Sequence, residues 1–136
     1  MSQENVELTY RIMDAFHRDP DAFVALLNDE VEASPRIVGG LGSSVHGHDG
    51  IRRWWKDLFA FMPDLAIEIL EVRDLGDVTL SHTRYRGHGA ASGTPFDERN
   101  WVAWRWRNGK CVRWSSKATE AEALQAVGLS ELEQPQ

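Results

Sequence analysis

Five polar side chains able to bind or activate a small molecule recur at alternate positions in the second half of the chain. They are His82 and Arg84 in one predicted strand, Glu98 and Asn100 in the next, and Ser116 in a third. Alternate residues of a strand share one face of a sheet, so these side chains converge if the apolar ends of the strands meet. Histidine titrates near neutral pH, and arginine and asparagine can stabilise negative charge on a carbonyl oxygen. The sequence therefore predicts His82, Arg84 and Asn100 as candidate catalytic residues.

Each of these residues also has a purely structural interpretation. His82 could be a histidine whose ring is satisfied by neighbouring backbone groups. Arg84 and Glu98 could form a cross-strand ion pair that holds the register of the sheet. The sequence leaves both interpretations open.

Apolar side chains are predicted to form the base of the same interior. The face that carries Glu98 and Asn100 continues to Val102 and Trp104, and a helix over residues 48–62 presents a stripe of large apolar residues. Small-molecule sites are usually apolar with a few convergent polar groups. The residues predicted to contact a ligand are Trp54, Leu58, Glu98, Val102, Trp104, Trp114 and Ser116.

The segment 100–117 holds four of the six tryptophans and interleaves them with arginines. A two-residue turn at Asn108-Gly109 would pair Trp106 with Cys111, whereas a three-residue loop would pair Trp106 with Lys110. The second register separates the apolar and charged residues onto opposite faces, because a slip of one residue exchanges the faces. It places Val102, Trp104, Trp106, Val112 and Trp114 on one face. It leaves Cys111 on the other face with Arg105, Arg107 and Arg113.

The elements that must position these residues are predicted from periodicity and caps. The sequence predicts an amphipathic helix over 4–18 with Val6, Tyr10, Met13 and Phe16 on one stripe, and a short helix capped by Asp19. A break of alternation at Leu70 and Val72 indicates a bulge or a change of the buried face. Thr119 and Glu122 form a capping box for a last helix that ends at Gly128. Helices around one short strand, then antiparallel strands and a closing helix, indicate an α+β domain.

Composition excludes several classes of function. A net charge of −6 disfavours nucleic-acid binding, and the single cysteine rules out an internal disulfide. No apolar run approaches a membrane span, and the N-terminal residues lack a signal-peptide pattern. The pair His46 and His48 has the spacing of some metal sites, but no further ligands support it. We expect one cytoplasmic domain over residues 1–136, ordered over about 4–129 with a flexible tail at 130–136, and no metal or cofactor.

The order and texture of these segments resemble a known family. Two N-terminal helices, a short strand before a proline, "HGHDGIRRWW", "YRGHGAASG" and "WVAWRWRNGKCVRW" are similar to the SnoaL-like branch of the nuclear-transport-factor-2-like superfamily. The resemblance covers about residues 6–129. It implies a cone-shaped α+β barrel, in which a strongly bent, mostly antiparallel sheet wraps around helices and leaves an apolar pocket.

The family's known catalytic sets do not carry over. The ketosteroid isomerase positions hold Ile12, Ser34 and Val102 here. In the limonene-type epoxide hydrolase set, Arg84 matches, but the two carboxylates are replaced by Arg86 and Ser116. We expect either a cofactor-free acid–base enzyme (an isomerase, cyclase or hydratase) acting on a hydrophobic carbonyl compound, or a non-catalytic domain that binds an apolar metabolite.

The outer face of the sheet is predicted to carry a partner. The chosen register places Trp101, Ala103, Arg105, Cys111 and Arg113 there. Relatives of this fold often pair through that face, and tryptophan and arginine are enriched at interface hot spots. We therefore expect a homodimer.

Overall fold

The computed structural model describes residues 2–36 and 44–129. Within these residues, four helices and six strands follow one another. They are α1 (Ser2–Arg18), α2 (Pro20–Val24), β1 (Leu27–Ser34), β2 (Val45–His46), α3 (Gly47–Phe61), β3 (Ala66–Asp74), β4 (Val78–His88), β5 (Pro95–Arg107), β6 (Lys110–Lys117) and α4 (Glu120–Ala126). The tail expected at 130–136 lies outside the described residues.

The short helices begin where their capping residues predict. The Asp19 carboxylate accepts a hydrogen bond from the Ala22 backbone N–H, and Pro20 opens α2. The Thr119 hydroxyl accepts from the Glu122 backbone N–H at the start of α4. Gly128, with a φ of +85°, follows the end of α4, as the sequence predicts.

The six strands form one mixed sheet in the order β2-β1-β6-β5-β4-β3. β1 and β6 run parallel, and the other four pairs are antiparallel. This arrangement confirms the predicted α+β class with a mostly antiparallel sheet. The sheet is open, with β2 and β3 at its edges, rather than a closed barrel. The bulge predicted at Leu70 is also confirmed, since the register of β3 shifts between Ile69 and Glu71 and Leu70 is exposed.

Two hydrophobic clusters lie on opposite faces of the sheet. The larger one joins α1, α2 and α3 to the inner face and includes Ile12, Phe16, Ile51, Leu58 and Met62. Tyr10, predicted on the buried stripe of α1, is exposed instead. The smaller cluster packs α4 on the outer face, with Ala123, Leu124 and Val127 against Val78, Leu80 and Ala103.

In the described part of the chain, no helix has both the length and the apolar character needed to cross a membrane.

Candidate functional site

The β5–β6 hairpin combines a two-residue turn with a register shift. Asn108 and Gly109 both have positive φ, and Trp106 pairs with Cys111, so the predicted three-residue loop is wrong. A shift beyond this pair brings Trp104 opposite Trp114, and Trp104, Trp106 and Trp114 are all buried. The extra residue at this shift places the Trp114 side chain on the same face as Trp104, as the sequence predicts.

The observed hairpin places Cys111 on the face opposite to the one predicted. It is fully buried in the larger hydrophobic cluster rather than on the outer face. Burial raises the pKa of its thiol to about 12 because the thiolate would lose its hydration. The predicted surface thiol is therefore an inert core residue.

His82 and Arg84 do not line the interior. The interior predicted from the sequence needs His82 beside Asn100, but β4 pairs with β5 one residue away from that register. His82 therefore lies opposite Trp101 on the outer face, where the two rings stack with centroids 4.2 Å apart. Arg84 donates to both carboxylate oxygens of Asp97 at 2.9 and 2.7 Å, and this contact lowers the pKa of Asp97. The prediction placed the side chains of β4 on the wrong faces. Val78 and Leu80 are apolar because they pack beneath α4 on the outer face, and not because they line the interior.

The inner face of β4 carries hydroxyl groups that sequence reasoning missed. The Trp106 indole N–H donates to Thr79 Oγ1 at 2.9 Å, and Thr79 in turn bonds Thr9 Oγ1 at 2.6 Å. The Trp104 indole N–H donates to Ser81 Oγ at 3.2 Å. These buried hydroxyls therefore satisfy two of the buried indoles. The alternation of Thr and Ser along β4 was the signal that could have revealed this face.

An inner polar cluster lies beside the start of β5 and is formed by Arg36, Tyr85, Glu98, Asn100 and Ser116. The Arg36 guanidinium donates to Asn100 Oδ1 and lies 3.6 Å from a Glu98 carboxylate oxygen. The Arg36 backbone N–H donates to Ser116 Oγ at 3.0 Å. The structure thus unites the predicted residues Glu98, Asn100 and Ser116 with Arg36, which the sequence did not single out.

Tyr85 is the titratable group buried in this cluster. Burial raises the pKa of Tyr85 to about 12, although the Ser116 and Thr83 hydroxyls and the Arg36 charge favour the phenolate. Tyr85 is therefore a neutral phenol at physiological pH.

An aromatic floor, made of Phe16, Phe23, Trp54, Trp104 and Trp114, lies below the polar cluster. The Trp54 and Trp114 ring centroids are 5.2 Å apart, and those of Trp104 and Trp114 are 5.6 Å apart. The floor, together with Tyr85 and Val102, lines a cavity of about 20 Å³. The predicted lining residues Trp54, Val102, Trp104 and Trp114 do surround this cavity, whereas Leu58 is a buried core residue that does not line it.

Two buried donors in this region have no hydrogen-bond partner among the described residues. They are Asn100 Nδ2 and Trp114 Nε1. Asn100 is 0% exposed and Trp114 is 4% exposed. A buried donor left unsatisfied costs about 1–3 kcal/mol, so such groups call for an explanation, such as a bound water or a ligand.

The outer face offers less to a partner than the sequence predicted. Ala103 is buried beneath α4, and the Arg105 guanidinium donates to the Val127 carbonyl at 2.7 Å. Cys111 lies on the other side of the sheet. Trp101 is half-buried and Arg113 is exposed, so the homodimer stays a prediction that rests on these two residues.

Two other regions of the surface carry clustered polar side chains. A surface hollow of about 580 Å³ lies at the opposite end of the sheet, where Glu4 and Asp77 mix with Arg105 and Arg107. None of the buried unpartnered donors among the described residues lies there. The described residues also contain no group of three or more potential metal ligands. In the predicted histidine pair, the His48 ring bonds the Leu27 carbonyl at 2.8 Å.

Comparison with known proteins defines the class of this protein. The sequence model of the SnoaL-like domain matches residues 9–114. The chain therefore belongs to the SnoaL-like domain family, whose fold group includes polyketide cyclases and isomerases. No curated protein matches the sequence.

Solved structures share the fold at low sequence identity. A protein from Catenulispora acidiphila DSM 44928 with a ketosteroid isomerase-like fold, in complex with trimethylamine, is 19% identical with a TM-score of 0.74 over 95% of this chain and 98% of its own. An NTF2-like protein of unknown function from Burkholderia pseudomallei K96243 is 22% identical with a TM-score of 0.77, covering 94% and 99%. A protein named as a SnoaL-like polyketide cyclase from Jannaschia sp. CCS1 is 16% identical with a TM-score of 0.76, covering 85% of each chain.

Proposed function

We propose that this SnoaL-like domain binds a small hydrophobic carbonyl compound between its helices and the inner face of the sheet. The observation that carries the proposal is the amide nitrogen of Asn100 in the inner polar cluster, which has no hydrogen-bond partner among the residues that the structure describes. A ligand carbonyl oxygen would accept the hydrogen bond that this nitrogen lacks. The aromatic floor would contact the apolar body of the ligand.

The orientation of the Asn100 amide supports this role. A guanidinium group has only donors, so the Asn100 atom that bonds Arg36 must be the oxygen. The opposite atom of the amide is then the nitrogen, which is left to donate elsewhere. Glu98 balances the Arg36 charge, so the cluster favours a neutral ligand oxygen over a carboxylate.

The volume of the cavity sets a condition on binding. About 20 Å³ holds one water molecule and no organic ligand. Ligand entry therefore requires the closely packed aromatic side chains, such as Trp54 and Trp114, to separate.

A second candidate function is catalytic, and it is favoured by the position of Glu98. Glu98 lies on the inner face next to Asn100, and its side chain is 45% exposed. Its carboxylate could take a proton from the carbon beside the carbonyl while the C–H electron pair forms the enolate double bond. The Asn100 amide would then donate to the enolate oxygen. Without such a step the domain would be a binding protein.

Binding is tested with 1-tetralone, a neutral hydrophobic ketone, and the variants Asn100→Leu and His82→Ala. We expect 1-tetralone to shift the side-chain amide resonances of Asn100. We expect Asn100→Leu to weaken binding about tenfold or more, because one buried hydrogen bond is lost. His82→Ala, on the outer face, is the control and should bind normally. Calorimetry gives the affinities, and an absence of saturable binding by wild type would contradict the proposal.

Catalysis is tested by deuterium exchange at the carbon beside the carbonyl of 1-tetralone in D₂O. We expect the wild-type protein to accelerate exchange and Glu98→Gln to abolish the acceleration while leaving binding within a few-fold. Mass spectrometry of the recovered ketone measures the exchange. Binding without accelerated exchange would favour the non-catalytic function.

A further inference from the structure

His17 joins the last turn of α1 to the start of β3. Its ring Nδ1 lies 2.9 Å from the Met13 carbonyl oxygen, and its ring Nε2 lies 3.0 Å from the Ile67 backbone nitrogen. A backbone N–H can only donate, so Nε2 must be an acceptor without a proton. A carbonyl oxygen can only accept, so Nδ1 must carry the proton. The two hydrogen bonds therefore fix His17 as a neutral ring with its proton on Nδ1.

The bond to Ile67 ties α1 to an open edge of the sheet. β3 has β4 on one side and no strand on the other in the described sheet. An edge strand presents backbone N–H groups that no neighbouring strand accepts. The His17 ring provides the acceptor for one of them, in place of a further strand.

This link lies on the wall of the cavity in the aromatic floor. Met13 and Ile67, the two residues that His17 bonds, both line that cavity. At the same turn of α1, the Trp55 indole N–H donates to the Phe16 carbonyl at 2.9 Å, which holds α3 in place. Separation of α1 from β3 at His17 would therefore open this wall.

Acid acts selectively on the bond to Ile67. Histidine takes up a proton near neutral pH, and here the proton must bind Nε2. The acceptor then becomes a donor that faces the Ile67 N–H, and the bond is lost. The bond to Met13 survives because Nδ1 keeps its proton. The His17 side chain is exposed, so protons reach it directly from solvent.

Neighbouring charges do not govern this response. The charged residues that flank the contact on the three packed elements are Asp14 and Arg18 on α1, Glu68 on β3 and Lys56 on α3. Two are acidic and two are basic, so their effects on a positive ring oppose one another. In the described part of the chain, no ion pair includes His17. The loss of the acceptor at Nε2 therefore decides what acid does here.

We propose that His17 is a pH-sensitive latch on the cavity wall. The neutral ring closes the seam between α1 and β3, and the protonated ring releases Ile67 and opens it. The latch needs no ligand, so it stands independently of the binding function proposed above.

Hydrogen exchange measures the latch at two positions. The backbone N–H of Ile67 reports the contact itself, and the indole N–H of Trp104, which is buried beside the cavity, reports the access of water. We expect the opening constant at both positions, corrected for the intrinsic pH dependence of exchange, to rise about tenfold or more from pH 7.5 to pH 5.0, because release takes up one proton. Ring ¹⁵N shifts at pH 7.5 should show the proton of His17 on Nδ1.

Two variants identify the group that titrates. His17→Gln keeps a side chain that can accept a hydrogen bond but takes up no proton, so opening should become independent of pH. His88→Gln is the matched control, since His88 bonds the Asp64 carboxylate at 2.7 Å in the segment just before β3. This variant should keep the pH dependence at Ile67.

Three results would overturn the proposal. A proton on Nε2 of His17 at pH 7.5, or opening that does not change with pH, would do so in the wild-type protein alone. A response that persists in His17→Gln or disappears in His88→Gln would assign the titration to another group. Faster exchange at Ile67 without faster exchange at Trp104 would show that the contact does not control the cavity.

Discussion

Replacing Trp104 by alanine is expected to lower the free energy of unfolding by about 3–5 kcal/mol, the usual cost of truncating a large aromatic residue in a core. Trp104 is 2% exposed, packs against Trp106 and Trp114, and donates its indole N–H to Ser81. The truncation would remove these contacts and leave a void at the centre of the aromatic floor. Urea denaturation followed by circular dichroism measures the loss.

Trp101→Ala is the matched control for this variant. It is three residues away on the same strand, but it lies on the outer face, half-buried and stacked on His82. We expect its cost to be clearly smaller because less apolar surface returns to water. A near-neutral Trp104→Ala, or an equal loss from Trp101→Ala, would contradict the assignment of faces in β5.

Native Cys111 is expected to react with a thiol reagent at pH 8 about a thousandfold more slowly than an ordinary cysteine. Burial raises the pKa of its thiol from 9.0 to about 12. At pH 8 the ionised fraction then falls from about one in ten to about one in ten thousand, and the thiolate is the reactive form. Steric protection by the surrounding core acts in the same direction. Absorbance of the released thiolate measures the rate.

A displaced cysteine provides the control for this experiment. Arg113→Cys in a Cys111→Ala background places the thiol at an exposed position two residues along the same strand. It should react at an ordinary rate, and both proteins should react alike in denaturant. Native Cys111 reacting within tenfold of the displaced cysteine would show that it is not in the core.

The raised pKa of the Cys111 thiol also makes stability depend on pH in alkaline solution. The unfolded chain ionises Cys111 above about pH 9, whereas the folded protein keeps the thiol protonated until about pH 12. Ionisation therefore lowers the free energy of the unfolded state before that of the folded state. This group reduces stability as pH rises above about 9. Below that range Cys111 contributes no pH dependence to stability.

Local chemistry was enough to predict the helices and their ends. Asp19, Thr119 and Gly128 act on backbone groups only a few residues away. Their effect can therefore be recognised from short segments of sequence. The bulge at Leu70 is visible for the same reason, as a local break in alternation. The parity of Val102, Trp104 and Trp114 also followed, because only one choice of face gathers large apolar side chains.

The sequence could not assign the two faces of β4. Its pattern of apolar and polar residues fits either face until the position of α4 is known. α4 begins more than thirty residues after β4 ends, and its packing on the outer face explains why Val78 and Leu80 are apolar. His82 and Arg84 then point away from the interior, and the alternating residues Thr79, Ser81 and Thr83 point into it.

The sequence by itself determined the fold class, the caps of α2 and α4, and the three tryptophans of the aromatic floor, because these follow from local propensity and from the burial of large side chains. Only the tertiary structure decided which polar residues form the site. Arg36 reaches Asn100 across 64 positions of sequence, and Trp114 Nε1, with no acceptor among the described residues, lies on β6, which β5 separates from the hydroxyls of β4. Such relations depend on the register between distant strands, where a slip of one residue exchanges the faces.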